Sequence, residues 1–201
     1  PHRSFCGNLY GDPWWSYTPK GGVSSDFGDE LNLGGGCIGS HEKLGGITTD
    51  FNVRHINLYE LGDWGNGSQP VGDMWKARLT ISKTVQLREG HSISPYFEVD
   101  YSWVDEDHQK SGRYLHFGFS HSHNLWKTTT ISGRHEFFHD DGVYVYEKGW
   151  LFLSDLGLTW KLDDSWSLTA PKIRCSSNLT AKDDRGKYCT LGLSLTIVWE
   201  W

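Results

Sequence analysis

The chain's 201 residues suffice for one domain with a sizeable core, and no change of composition along them marks a second. Aromatic residues make up 14% of the sequence, glycines number 24 and Met74 is the only methionine, a balance that favours twisted strands and tight turns over helices. The formal net charge of -6 offers no basic face to nucleic acid, and no run approaches the roughly 20 apolar residues of a membrane-spanning helix, so any crossing falls to strands.

Residues 1–201 are read as a single domain, with 1–28 either a first strand or an N-terminal extension. A mean hydropathy of -0.53 reads as that of a water-soluble chain, yet strands that alternate lipid-facing and lumen-facing side chains also average out as polar. Pro1, His2, Arg3 and Ser4 stand where a basic segment and an apolar run would open a signal peptide, so the chain is read as processed, its signal peptide removed.

In chain order, the segment from Ser4 to Tyr17 carries Cys6, Leu9, Tyr10, Trp14 and Trp15, and Leu31 and Leu33 begin the next strand. Ile47, Phe51 and Val53, followed by Ile56 and Leu58, suggest a strand whose parity slips near His55. Trp75, Ala77, Leu79 and Ile81 alternate with Lys76, Arg78, Thr80 and Ser82. Val85 and Leu87 keep that parity and Lys83 breaks it, which asks for a bulge or a membrane boundary there. Ile93, Phe97, Val99, Tyr101 and Trp103 oppose Ser94, Tyr96, Glu98, Asp100 and Ser102. Leu115, Phe117 and Phe119 oppose His116, Gly118 and Ser120, whereas the stretch from Trp126 to Phe138 alternates poorly. Trp150, Phe152, Leu156, Leu158, Trp160 and Leu162 share a face against Asp155, Gly157, Thr159 and Lys161. Trp166, Leu168 and Ala170 continue that face, with Lys172 and Arg174 expected to mark where it meets water and so to keep the apolar band short. The clearest strand is the last, where Cys189, Leu191, Leu193, Leu195, Ile197, Trp199 and Trp201 hold one face to the final residue.

Short turns fall near Glu42-Lys43, Glu89-Gly90, Asn124-Leu125 and Asp163-Asp164. Longer polar loops run from Gly62 to Asp73, Val104 to Gly112, His139 to Gly149 and Ser176 to Lys187. Strict alternation of short and long connections predicts an all-β, antiparallel up-and-down transmembrane β-barrel of about 8–10 strands, with short periplasmic turns and longer extracellular loops. About nine strands are countable, and barrels favour even numbers. Either the segment from Ser4 to Tyr17 hides a strand or one weak strand is loop. The cysteines fall as Cys6 and Cys37 near one end and Cys175 and Cys189 near the other, which suggests two local disulfides and an oxidising compartment.

With its apolar residues ending on an aromatic at Trp201, the last strand resembles the C-terminal signature of the outer-membrane β-barrel protein superfamily, porin-like in its pattern. The resemblance covers the architecture of most of the chain and matches no particular member. It implies the bacterial outer membrane as location, the lipid bilayer as surroundings, and the periplasmic chaperone and barrel-assembly machinery as partners during biogenesis. An envelope protein or a second copy is a further candidate partner. No cofactor and no nucleic acid are implied.

Lys76, Arg78, Glu98, Asp100, Asp155 and Lys161 are the candidate lumen polar residues, read as an ion-pair network filling a narrow barrel in preference to a catalytic acid and base. Trp75, Trp103, Trp126, Trp150, Trp166, Trp199 and Trp201 recur at strand ends, as interfacial girdles do. Trp14, Trp15 and Trp64 sit in loop-like sequence as candidates for ligand contact, and Asn66-Gly67-Ser68 and Asn178-Leu179-Thr180 match a glycosylation pattern that short tripeptides often meet by chance. His116, His121, His123, His135 and His139 are rim and lumen polar residues on the plainer reading. His121, His123, His135 and His139 are the metal candidates, because a His-x-His pair puts two rings on one strand face and suits Zn²⁺ or Cu²⁺. No Gly-x-Ser-x-Gly elbow is present. The function expected is a small outer-membrane barrel acting as a narrow channel or as an envelope component. A soluble, disulfide-stabilised carbohydrate binder and an outer-membrane enzyme are the alternatives.

Overall fold

The computed structural model describes residues 7–11, 13–16, 29–59, 72–104, 110–143, 147–163, 165–182 and 187–197. Trp199, Trp201, Cys6, Trp64 and Asn66-Gly67-Ser68 lie outside them. Among the described residues, alternating sequence becomes strand almost throughout, in twelve segments. These are β1 (Asn8–Gly11), β2 (Trp14–Ser16), β3 (Asp29–His41), β4 (Ile47–Tyr59), β5 (Gly72–Lys83), β6 (Val85–Arg88), β7 (His91–Val104), β8 (Gly112–Trp126), β9 (Thr129–Asp140), β10 (Gly149–Lys161), β11 (Trp166–Asn178) and β12 (Lys187–Ile197). Among the described residues the only helical turn is a 3-10 turn at Glu42–Leu44.

One antiparallel sheet holds all the strands in the order β1-β3-β4-β5-β7-β8-β9-β10-β11-β12, with β2 also on β3 and β6 also on β7. Apart from β1 with β2 and β5 with β6, which share a partner, strands consecutive in sequence are neighbours, the up-and-down order expected from the alternating connections. Among the described residues no ladder joins β12 back to the N-terminal strands. The strand sought before Tyr17 is present as β1 and β2, which pair with β3 from Asn8 against Ile38 to Ser16 against Glu30.

Three local expectations are corrected. The parity of β4 does not slip at His55: β3 and β4 stay in one register from Asp29 opposite Tyr59 to His41 opposite Ile47. His55 keeps the face of Phe51, with its ring 4.7 Å from Trp75 and its Nε2 3.2 Å from Asp73 Oδ2. The second turn of the next hairpin lies at Lys127 and Thr128, because β8 continues through Asn124 to Trp126. Asn124 is held there by its backbone N–H on the Gly90 carbonyl at 2.7 Å and by Thr130 Oγ1 donating to its Oδ1 at 3.0 Å. Gly90 itself turns the β6–β7 hairpin at φ 71, a conformation cheap only for glycine. The poorly alternating stretch forms a strand as expected, β9.

The third correction concerns the apolar band. Between Thr169 and Lys172 the ladder of β11 shifts, at Pro171, which has no N–H to give it. The shift puts Ile173 opposite Leu156 on the apolar face and Arg174 opposite Asp155 on the polar one. Lys172 and Arg174 thus leave the face of Trp166 instead of ending it, and the band is longer than expected.

The chain divides into two compact units. One comprises β1–β5 through Ile81 with Glu98–Tyr114 and Asp141 to Val143; the other comprises Ser82–Phe97, Leu115–Asp140 and β10–β12. In each, burial runs opposite to that of a water-soluble sandwich. Asn32, Asn52, Asp100 and Ser102 are buried in the first while Leu33, Phe51, Trp75 and Trp103 are exposed. Glu136, Asp140 and Ser176 are buried in the second while Phe117, Phe137, Leu156 and Leu191 are exposed, Leu191 by 75%. Among the described residues the buried apolar side chains are Met74, Val143, Leu151 and Ala181.

Candidate functional site

The period of two places Lys76, Arg78 and Thr80 of β5 and Glu98, Asp100 and Ser102 of β7 on the polar face of the first unit. Lys76 Nζ lies 2.5 Å from Asp100 Oδ2, the carboxylate being 1% exposed, and it also stands 4.9 Å over the Tyr114 ring. Thr80 Oγ1 donates to Glu98 Oε2 at 2.9 Å. The pairing of β5 cations with β7 carboxylates that the sequence suggests is therefore made at Lys76 and Asp100. Arg78 lies half-buried on the same face with its Nε enclosed. Tyr10 of β1 reaches past Gly36 of β3 to β4, donating to Asp50 Oδ1 at 2.7 Å and accepting from Asn52 Nδ2 at 3.2 Å. Arg54 Nε donates to Asn52 Oδ1 at 3.0 Å and extends the chain of bonds.

A second network occupies the polar face of the other unit. Tyr96 of β7 donates its hydroxyl to Glu136 Oε2 on β9 and accepts from Arg134 Nε at 2.7 Å. Arg134 Nη2 lies 2.6 Å from the same carboxylate, its guanidinium is 4.5 Å from the Tyr96 ring, and His116 Nδ1 approaches Glu136 at 3.4 Å. Asp155 takes two bonds from Arg174, at 2.7 and 2.9 Å, in the parallel fork that an arginine and a carboxylate form best. Beside them a cavity of about 520 Å³ is lined by Ser120, Ser132, Arg134, Asp155, Thr169 and Lys172. Lys161, at the end of β10 opposite Ser167, is exposed. Such a face can hydrate, exchange protons with water and hold small ions.

The described candidate girdle aromatics fall at the ends of strands. Trp75, Trp103 and Trp150 lie beside the long connections, and Trp126 and Trp166 beside the short ones. Trp75, Trp103, Trp126 and Trp166 are exposed, while Trp150 is half-buried against His139, 4.8 Å away, and Phe117, 5.7 Å away. Cys175 and Cys189 are bonded directly across β11 and β12. Cys37 is disulfide-bonded too, in a chain whose remaining cysteine is Cys6.

The histidines divide between the faces. His116 is on the polar face, but His121, His123 and His135 share the apolar face with Phe117, Phe119 and Phe137, the Phe119 ring lying 5.2 Å from that of His135. Tyr10, Tyr96, Arg134, Glu136 and Arg174 were not among the residues singled out as lumen polar groups. Arg134 and Glu136 were legible as a charged i, i+2 pair, hidden by His135 between them. The tyrosines carry no signal in a single sequence, since only pairing across two strands brings each hydroxyl to its carboxylate. Comparison with family models, with curated proteins and with solved structures finds no match to this chain.

Proposed function

We propose that this chain is a small transmembrane β-barrel of the bacterial outer membrane, its apolar face against lipid and its polar face lining a narrow, hydrated lumen that passes small ions. The supporting observation is the inverted burial of both units: Asp100, Asn52, Asp140 and Glu136 are covered while Trp75, Phe117, Leu191 and Leu193 are bare. In water such an apolar surface costs roughly 25 cal/mol per Å² exposed, whereas in a bilayer it is the solvated surface and the polar residues need each other. A sheet with ten successive places in its order matches a barrel whose interior side chains largely fill, so a wide solute pore is not expected. Aromatics at both ends of the strands suit the two interfaces, and the bilayer and the barrel-assembly machinery are the partners this reading requires.

Reconstitution tests it. The purified chain should require detergent, insert into liposomes and give small, discrete conductance steps in a planar bilayer. Glu98→Gln with Asp100→Asn should lower its preference for cations. A chain that stays monomeric in buffer without detergent, with Leu193 shielded from lipid-soluble probes, would overturn the membrane reading in favour of a secreted sandwich. Insertion without conductance would leave a structural envelope barrel and remove the channel.

A further inference from the structure

The apolar face of the second unit is interrupted by a row of imidazoles, and two ring nitrogens in it are placed as a chelating pair. His121 Nε2 on β8 lies 3.2 Å from His135 Nε2 on β9. On β10, directly opposite His135, Ser154 places its Oγ 2.9 Å from His135 Nδ1. The row continues towards the β6–β7 turn, where the His123 ring stacks 5.0 Å from His121 and His123 Nδ1 is 3.2 Å from His91 Nδ1.

We propose that His121 and His135 bind a divalent transition-metal cation, Cu²⁺ or Zn²⁺, through their Nε2 atoms, with water filling the remaining positions. Three features carry the assignment. Two nitrogens that each sit about 2.0–2.1 Å from a tetrahedral metal are about 3.3 Å apart, and the separation here is 3.2 Å. When His135 donates its Nδ1 proton to Ser154, its Nε2 is left with an exposed lone pair and a fixed ring plane, the arrangement that metal-binding histidines take from their outer partners. The third feature is Gly133, two residues before His135 on the same face, where a Cβ would stand 2.5 Å from His121 Nε2. That Cβ would also stand 2.8 Å from the Asp155 carbonyl and 3.0 Å from Leu156 Cδ2, so glycine lets the His121 ring close on β9 and reach His135. The row of His123 and His91 gives the cation a polar path from the turn. The site needs β8, β9 and β10 only and does not rest on the membrane reading.

The test uses tag-free protein, in whichever medium keeps it folded, titrated with Cu²⁺ alone. The bound ion should show an electron paramagnetic resonance spectrum with two equatorial nitrogens, at one tight equivalent per chain. His121→Ala and His135→Ala should each weaken that equivalent at least tenfold. Ser154→Ala should weaken it by about tenfold, and Gly133→Val should block it while keeping both ligands. His139→Ala, whose ring packs on Trp150 away from the pair, should titrate as the parent does. A parent chain that binds no Cu²⁺ at micromolar concentration, a spectrum without nitrogen coupling, or a His121→Ala chain that titrates unchanged would falsify the assignment. The spectrum of the parent chain decides even where a variant fails to fold.

Discussion

The two units solve one problem in two ways. In each, a tyrosine on one strand crosses a neighbouring strand that carries a glycine and bonds to polar residues on the strand beyond. Tyr10 of β1 meets Asp50 and Asn52 of β4, with Gly36 of β3 between. Tyr96 of β7 meets Arg134 and Glu136 of β9, with Gly118 of β8 between. The difference lies in charge. Tyr96 sits inside a closed ion pair, so its carboxylate has a cation at 2.6 Å whether or not the tyrosine is present. Tyr10 bridges a carboxylate and a fully buried amide, while the buried ion pair between Lys76 and Asp100 joins two other strands, β5 and β7. A polar face can therefore be closed by charge neutralised within the tyrosine bridge or beside it, and the two arrangements should respond differently to the same substitutions.

The largest effect is expected at the ion pairs. Lys76→Met removes a cation from a carboxylate that is 1% exposed and should cost about 3–5 kcal/mol of unfolding free energy. Adding Asp100→Asn should recover most of it. Arg134→Met should cost less, since Glu136 keeps the bond from the Tyr96 hydroxyl and the approach of His116. Denaturant unfolding of the three variants measures this, and equal costs at Lys76 and Arg134 would erase the distinction between the units.

Next come the glycines, where overpacking should cost about 1–3 kcal/mol each. A Cβ at Gly36 would stand 2.8 Å from Tyr10 Oη and 2.9 Å from its Cζ, besides meeting the Phe51 carbonyl. At Gly118 it would meet the β9 backbone, 2.8 Å from Glu136 Cα. Removing the tyrosine should therefore relieve part of the first clash and none of the second. A double-mutant cycle of Gly36→Ala with Tyr10→Ala should show coupling of about 1 kcal/mol, and the matching cycle of Gly118→Ala with Tyr96→Ala less than about 0.5 kcal/mol. Equal coupling in both would mean that Tyr96 packs on Gly118 as Tyr10 does on Gly36.

Strand identity and face were legible where alternation is strict, as in β7, β10 and β12, because a period of two needs no knowledge of partners. The misreadings share one physical origin. His55 puts a polar residue on an apolar face and Pro171 moves the parity of β11, so a rule that expects apolar residues on one face loses its place at each. Lys76 with Asp100 was readable because both residues keep strict alternation on strands adjacent in the sheet. The tyrosine bridges and the His121–His135 pair were not, since each depends on register between strands, which composition and spacing along one strand do not encode.

The smallest effect discriminates the two bridges most directly. Tyr10→Phe and Tyr96→Phe each delete one hydroxyl and leave the ring, so packing is nearly unchanged and the cost is that of hydrogen bonds to a carboxylate, about 1–2 kcal/mol. They should not cost the same. Without its hydroxyl, Tyr96 leaves Glu136 still bound by Arg134 Nη2 at 2.6 Å, and Arg134 Nε keeps its own bond to that carboxylate at 3.0 Å. Without its hydroxyl, Tyr10 leaves Asn52 Nδ2 short of an acceptor in a residue that is 0% exposed, and it takes a donor from Asp50 as well. A buried amide deprived of its partner costs more than a carboxylate that keeps its cation. Thermal unfolding should therefore place Tyr10→Phe below Tyr96→Phe. The reverse order would mean that the hydroxyl of Tyr96 holds Arg134 against Glu136 and that the ion pair depends on the bridge.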